Sequence, residues 1–305
     1  MSTTAASGDL TPPVSSLGVV IVNYKTFDLT MQCVRSLLEH AIAKPHDIVV
    51  VDNHSPDGSG ERLKAALTSG VRVILSGLNG GFGAGVNLGV AASNTDLVLV
   101  LNPDTYFLRN TVEVIQRLFD ERPRLGVAGL KLINPDGSLQ YSARRFYSLP
   151  DIMVRRTPLA RLGLMQNLIS SHLLKRRWLG EAFEADWVMG TGFVLRRSAF
   201  DQVGGMDEGY FLYFEEVDLC ARMWVNRWQV LAVPQVELVH EHQRHSAAGI
   251  WSTSGKTHLR SMTRFFAKFG IPWVRRPSHT ELAAAFARWR ERPCSERILD
   301  QRRGG

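Results

Sequence analysis

The sequence predicts an α/β fold in which a mixed, mostly parallel sheet is flanked by helices, and three observations carry that prediction. Four short β-branched or Leu-rich runs, at residues 17–22, 48–51, 71–75 and 97–101, are bounded by polar or glycine residues, as strands covered on both faces are. Helix-length segments separate them, so the order reads βαβαβαβ and demands right-handed crossovers. Polar residues gather where each run ends, the edge at which such sheets bind ligands.

The elements follow in order. Residues 26–40 place Leu29, Cys33, Leu37 and Leu38 on one helical face, and 59–68 and 86–92 behave similarly. Residues 126–132 read as a fifth strand, and Asn134-Pro135-Asp136-Gly137 is a hairpin turn signal, so the sheet becomes mixed there. Residues 148–179 mix apolar side chains with Arg, Lys and Pro at no clean period and read as a variable insertion. Strand resumes at 187–195, helix at 215–225, two short strands broken at Pro234 occupy 229–239, and 252–269 is helical.

This division gives a Ser/Thr/Ala/Pro-rich leader (1–16) without the features of a secretory signal, one domain (17–270, its halves meeting near 105) and a basic helix and tail (271–305). The 305 residues are 45% hydrophobic and 21% charged, an ordinary globular composition. No apolar run approaches the roughly 20 residues that span a bilayer. Cys33, Cys220 and Cys294 lack the spacing of a disulfide framework or a thiolate zinc site, which fits a reducing cytoplasm. A net charge of +7, concentrated late in the chain, implies an anionic partner, and no nucleic-acid module is present.

Several constellations carry chemistry. Asp104 ends a Leu-rich strand within Leu101-Asn102-Pro103-Asp104 and offers a hard cation an oxygen ligand, or closes a turn. Asp52 and Asn53 supply groups that read a pyrimidine edge or ribose hydroxyls, and equally suit helix entry. The glycine-rich segment 79–87 runs into a helix and lets backbone amides approach an anion, without the sequence of a Walker loop. Glu215, Glu216 and Asp218 open a helix behind the aromatic run 210–214; three adjacent acids repel, which raises at least one pKa and makes a general base. His240 ends a strand and is the better single ligand than His242 or His245.

In this order the motifs resemble the family-two glycosyltransferases of the GT-A fold, and the rhamnosyltransferase-like branch among them. The resemblance spans residues 19–269 and includes Gly190-Thr191-Gly192-Phe193 and Phe214-Glu215-Glu216-Val217-Asp218-Leu219. It implies that Tyr24, Asp52 and Asn53 hold the nucleoside, with Gly81, Gly83 and Asn87 on its phosphate side. Asp104 and His240 would bind Mg²⁺ or Mn²⁺, beside Asn102, which stands where many relatives carry Asp. Trp187, Gly190 and Thr191 would shape the sugar and acceptor pocket, with Asp218 on its acceptor side or anchoring the helix terminus. Glu216 would be the base, although many relatives carry Asp there, and Glu215 its supporting acid.

The implied activity is inverting transfer of a hexose, by the branch resembled L-rhamnose from dTDP-rhamnose, to a glycan or polyprenyl-phosphate-linked acceptor in cell-envelope polysaccharide synthesis. UDP-linked hexoses and a non-catalytic nucleotide-sugar-binding role are the alternatives. In the tail, Leu282, Phe286 and Trp289 share one side of a helix among Arg288, Arg290 and Arg292, which suits an anionic membrane surface or packing of the aromatics on the domain.

Overall fold

The computed structural model describes residues 15–155, 163–241 and 253–293. His242, His245, Cys294, most of the leader and the end of the tail lie outside the described residues. The strands are β1 (Leu17–Asn23), β2 (Ile48–Asp52), β3 (Arg72–Leu75), β4 (Leu97–Leu101), β5 (Thr105–Tyr106), β6 (Leu125–Ile133), β7 (Leu139–Gln140), β8 (Ala143–Arg144), β9 (Phe183–Glu184), β10 (Trp187–Val188), β11 (Gly192–Arg196) and β12 (Gln229–His240). The helices are α1 (Phe27–Glu39), α2 (Ser59–Ala66), α3 (Phe82–Ala92), α4 (Val112–Glu121), α5 (Leu149–Arg155), α6 (Gly163–His172), α7 (Arg197–Val203), α8 (Glu215–Val225), α9 (Thr253–Phe269) and α10 (His279–Glu291).

The main sheet runs β3-β2-β1-β4-β11-β6-β12-β5. Strands β3, β2, β1 and β4 are parallel, β11 is antiparallel to both its neighbours, and β12 returns parallel to β6, so the sheet is mixed as expected. Both faces are covered because alternate residues of each strand point to opposite sides. Val20, Val22, Val49, Val51, Val98 and Val100 enter the core under α3, α7, α8 and α9, and Val19, Ile21, Ile48, Val50, Leu97 and Leu99 the core under α1, α2 and α4. Part of the glycine-rich segment serves this packing. A Cβ on Gly85 or Gly89 would stand 2.6 or 2.3 Å from Val22 or Val20, so α3 lies closer to β1 than any larger residue allows.

Several sequence expectations are corrected. Helix α3 begins at Phe82 rather than 86, directly out of the glycine turn. Residues 229–239 form one strand rather than two; Pro234 sits in an irregularity between Val233 and Glu237 where the register with β6 shifts, which accommodates its missing N–H. The 187–195 strand is two strands parted by the loop 189–191. The insertion after 148 contains α5 and α6; α4 is a further helix whose Val112, Ile115, Leu118 and Phe119 recur at helical spacing, α7 is only seven residues long, and α10 starts two residues before the expected 281.

Helix α10 opens with a capping box: Ser278 accepts from the Glu281 amide while the Glu281 carboxylate accepts from the Ser278 amide. Its apolar side is turned inward. Leu282 is buried, and Phe286 stacks on Phe269 at 5.3 Å and on Trp289 at 5.7 Å. The aromatics therefore pack on the domain. No described helix is long and apolar enough to cross a bilayer.

Candidate active site

The loops after β1, β2, β3 and β4 converge at one sheet edge, and Asn23 organises the first two. Its amide donates to Asp52 (2.6 Å) and Ser59 (3.2 Å), while its carbonyl oxygen accepts from Thr26 and Thr30. Asp52 also accepts from the Ser55 amide (2.9 Å) and hydroxyl (2.6 Å). This buried lattice fixes the loops, and Lys25 and His54 within them adopt left-handed backbone (φ 59° and 58°). Tyr24 stands exposed beside it, and Asn53 donates to Asn79 (2.9 Å) and to the Gly81 carbonyl (3.0 Å). The Asn53 side-chain oxygen Oδ1 is buried without a hydrogen bond.

The residues expected on the phosphate side also hold a neighbouring loop. Asn87 donates to the Met206 carbonyl and to Glu208 and accepts from the Met206 amide, and Gly83 packs under Met206, so both clamp the loop after α7. Gly81 has φ 86°, and a Cβ there would stand 2.1 Å from the Phe211 carbonyl oxygen, which accepts from the Phe82 amide. Gly81 thus joins the glycine turn to the segment leading into α8. Gly81→Ala combines a disfavoured φ with a backbone clash and is expected to cost about 1–3 kcal/mol or more. Thermal denaturation with nucleotide titration checks this; an unchanged midpoint and affinity would show that the two loops are not coupled here.

Asp104 and His240 meet because β5 pairs antiparallel with the end of β12, aligning Thr105 with His240, and the Glu241 amide donates to the Asp104 carbonyl (2.9 Å). His240 Nε2 lies 3.3 Å from Asp104 Oδ2, and Asp104 Oδ1 is buried without a hydrogen bond. Gln140 Oε1 is 2.7 Å from His240 Nδ1 and its amide donates to the His240 carbonyl (3.0 Å), so the histidine is gripped from behind with Nε2 forward. Two ligands of one octahedral ion stand about 3 Å apart, so this pair fits a small divalent cation that takes its other oxygens from donor phosphates and water. Among the described residues no group of three or more His, Cys, Asp or Glu side chains is placed to hold a metal ion.

Glu215 and Glu216 occupy the first turn of α8, entered through two consecutive left-handed residues, Tyr213 and Phe214 (φ 68° each). Phe214 supports that strained entry by packing against Tyr147 (5.5 Å) and Phe265 (5.6 Å). Glu215 Oε2 and Glu216 Oε2 are both buried without hydrogen bonds. Burial, and then the neighbouring Glu216 charge, push Glu215 well above the usual carboxylate range. Burial also raises Glu216, opposed in part by its own amide and by the Arg144 guanidinium. Gly190 and Thr191 bridge the two ends of the site. A Cβ on Gly190 would stand 3.8 Å from Glu216 Cβ, and the Thr191 carbonyl accepts from the Asn102 amide (2.9 Å), two residues before Asp104. Trp187 lies beneath, its indole donating to the Arg145 carbonyl (2.9 Å) and its ring under Arg144.

Of the two places expected for Asp218, the acceptor side and the helix terminus, its contacts are those of an anchor. It is wholly buried, bonded to Arg222 (2.5 Å), to Lys268 and to Tyr210 (3.1 Å). Sequence reasoning also passed over Gln140 and Arg144: β7 and β8 are two residues each, too short for any periodic signal.

Comparison with known proteins agrees with this geometry. The family model described as "Glycosyl transferase family 2" matches residues 18–204. The N-acetylglucosaminyl-diphospho-decaprenol L-rhamnosyltransferase of Mycobacterium tuberculosis is 31% identical over 263 residues, covering 82% of this chain and 84% of that protein. Rhamnosyltransferase WbbL of Escherichia coli K12 is 25% identical, covering 77% and 88%. Among solved structures, GalNAc-T7 with UDP, GalNAc and Mn²⁺ superposes with a TM-score of 0.60 over 94% of this chain, which spans 56% of that one, at 14% identity. The mannosyltransferase PcManGT of Pyrobaculum calidifontis with GDP-Man and Mn²⁺ gives 0.56 over 96% of this chain and 74% of its own, at 13% identity. These neighbours share the GT-A fold. The strand-end chemistry and the family match together show that the chain belongs to glycosyl transferase family 2 and is a sugar-transferring enzyme.

Proposed function

We propose that the protein is an inverting rhamnosyltransferase that moves L-rhamnose from dTDP-L-rhamnose to a hydroxyl of a lipid-diphosphate-linked N-acetylglucosamine, at the cytoplasmic face of the cell membrane. The observation that carries this reading is the pairing of two buried carboxylates at the head of α8, each with one oxygen lacking a hydrogen bond, with the Asp104–His240 pair, across the Gly190–Thr191 bridge. The sugar and the acceptor follow the printed names of the relatives.

Glu216 takes the proton of the acceptor hydroxyl as that oxygen attacks the anomeric carbon, in line with and opposite to the departing diphosphate, so the configuration inverts and no glycosyl-enzyme forms. Burial disfavours the charged form of both carboxyls, and a charge on Glu216 raises Glu215 further, so the pair resists carrying two negative charges at once. Asp104 and His240 would hold Mg²⁺ or Mn²⁺, which when bound neutralises charge on the diphosphate leaving group. Tyr24 and the Asn53 side-chain oxygen face the nucleoside.

The test is a donor screen with Mn²⁺, offering dTDP-L-rhamnose, UDP-glucose and UDP-galactose against an N-acetylglucosamine diphospholipid. Transfer from dTDP-L-rhamnose alone is the expected result. Transfer only from a UDP-hexose would overturn the donor assignment, and no transfer to the lipid-linked sugar would overturn the acceptor.

A further inference from the structure

Two surfaces outside the catalytic groove carry chemistry that sugar transfer does not use. The first is the connection between α9 and α10, where Ile271, Trp273 and Val274 are 46%, 70% and 84% exposed. The second is the helical turn after α6, Lys175-Arg176-Arg177, followed by Leu179 at 97% exposure. Among the described residues none of these three cations has a carboxylate within ion-pairing distance. With Arg145, Asn167, Ser170 and Ser171 they line an open depression of about 490 Å³.

Arg276 joins the two surfaces. Its guanidinium bonds both Asp151 oxygens (2.9 and 3.0 Å) on α5 and the Ser171 hydroxyl (3.2 Å) on α6, while the Leu149 amide donates to the Pro272 carbonyl (3.0 Å). Arg275 is tied to Glu281 (2.5 Å). The connection is therefore clamped at both sides, and its apolar residues are held outward rather than loose. A projecting Trp and Val held near cations that no described carboxylate pairs match the layered chemistry of a bilayer interface, where aromatic rings settle at headgroup depth and Lys and Arg meet lipid phosphates. The helix α10 does not compete for this role, because its apolar side is spent inside the protein.

We propose that this face docks the enzyme on an anionic lipid bilayer, with Ile271, Trp273 and Val274 entering the interfacial layer and Lys175, Arg176 and Arg177 pairing with lipid phosphates. The purpose rests on the proposed lipid-linked acceptor, which would lie in that bilayer. The binding itself is measured independently of any sugar transfer.

The full chain is sedimented with sucrose-loaded vesicles of phosphatidylcholine alone or with phosphatidylglycerol added. The wild type is expected to pellet with the anionic vesicles and to be released by salt. The pairs Trp273→Ala with Val274→Ala, and Arg176→Glu with Arg177→Glu, are each expected to weaken binding by about tenfold or more. Both should keep the wild-type thermal midpoint and transfer to a water-soluble acceptor, since all four residues are exposed. Equal pelleting of wild type and variants, no pelleting of the wild type, or a wild-type dimer that the variants dissolve would each overturn the proposal. Vesicle binding that responds to the variants, in a protein that glycosylates no lipid-linked acceptor, would leave the docking face standing and remove the acceptor assignment instead.

Discussion

Glu216→Gln is expected to lower sugar transfer by about 10²–10⁴-fold while leaving donor binding near the wild-type level. Gln keeps the shape of the side chain and removes only the capacity to accept a proton, so the loss isolates the base function from packing against Gly190. The pH dependence gives a second reading of the same group. The base works ionised, and burial holds Glu216 above its ordinary value, so the rate should climb with pH along a limb displaced above the normal glutamate range. Stability runs the other way. A carboxyl raised in the folded state contributes stability that is complete below the unfolded pKa and is lost as pH rises through the folded one. Glu215 and Glu216 are both raised, so the pH that activates the enzyme also loosens the head of α8. Glu216→Gln removes one of these charges and relieves Glu215, and should therefore raise the thermal midpoint on the alkaline side. Rate measurements and thermal scans across pH check both signs. A variant that transfers near the wild-type rate, or Glu215→Gln failing where Glu216→Gln works, would move the base to Glu215.

The parallel half of the sheet was legible because its strands are buried on both faces and read as unbroken apolar runs, and their ends announced the site through Asp52, Asn53 and Asp104. The pairing of Asp104 with His240 was proposed from the resemblance, and the antiparallel ladder of β5 on β12 now supplies its physical cause. Other features had no local signal. Gln140 matters only because a two-residue strand places it against His240 from 100 positions away. Asn87 and Gly83 lie in a glycine-rich turn, and nothing local announces that Asn87 bonds the Met206 backbone and that Gly83 packs under the Met206 side chain. The left-handed entry at Tyr213 and Phe214 violates residue preference outright, and only the surrounding rings explain it. Propensity and spacing describe a segment's own tendencies; these roles are conferred by partners distant in the chain.

Asp218 shows the same point with the largest consequence for stability. It stands two residues past Glu216 in a run of acids, but its partners are Arg222 one turn on, Lys268 from α9 and the Tyr210 hydroxyl. Lys268 also bonds Asp207 (2.8 Å), which Arg264 grips at 2.8 and 2.9 Å, and Arg222 reaches the carbonyls of Val203 and Gly205. Burial works against the Asp207 charge, but Lys268 and then Arg264 outweigh it and hold that carboxyl well below the usual range. The cluster ties α8, α9 and the 203–210 segment into one body behind the first turn of α8. Breaking a buried pair leaves charge uncompensated, so Asp218→Ala, which strips Arg222 of its carboxylate, is expected to cost about 3–5 kcal/mol, and Lys268→Met, which leaves Asp218 on Arg222 and Asp207 on Arg264, less. The double variant should cost less than the sum of the two, because no lone charge then remains on that pair. Denaturant unfolding of the four proteins checks the cycle, and single-variant losses under about 1 kcal/mol would mean that the cluster does not hold α8. For Asp207 the folded pKa is depressed, so its contribution is present above the unfolded value and vanishes as pH falls through the folded one. Acid should therefore unlock this cluster from behind α8, while alkali stresses the Glu215–Glu216 pair in front, leaving the enzyme most stable between the two.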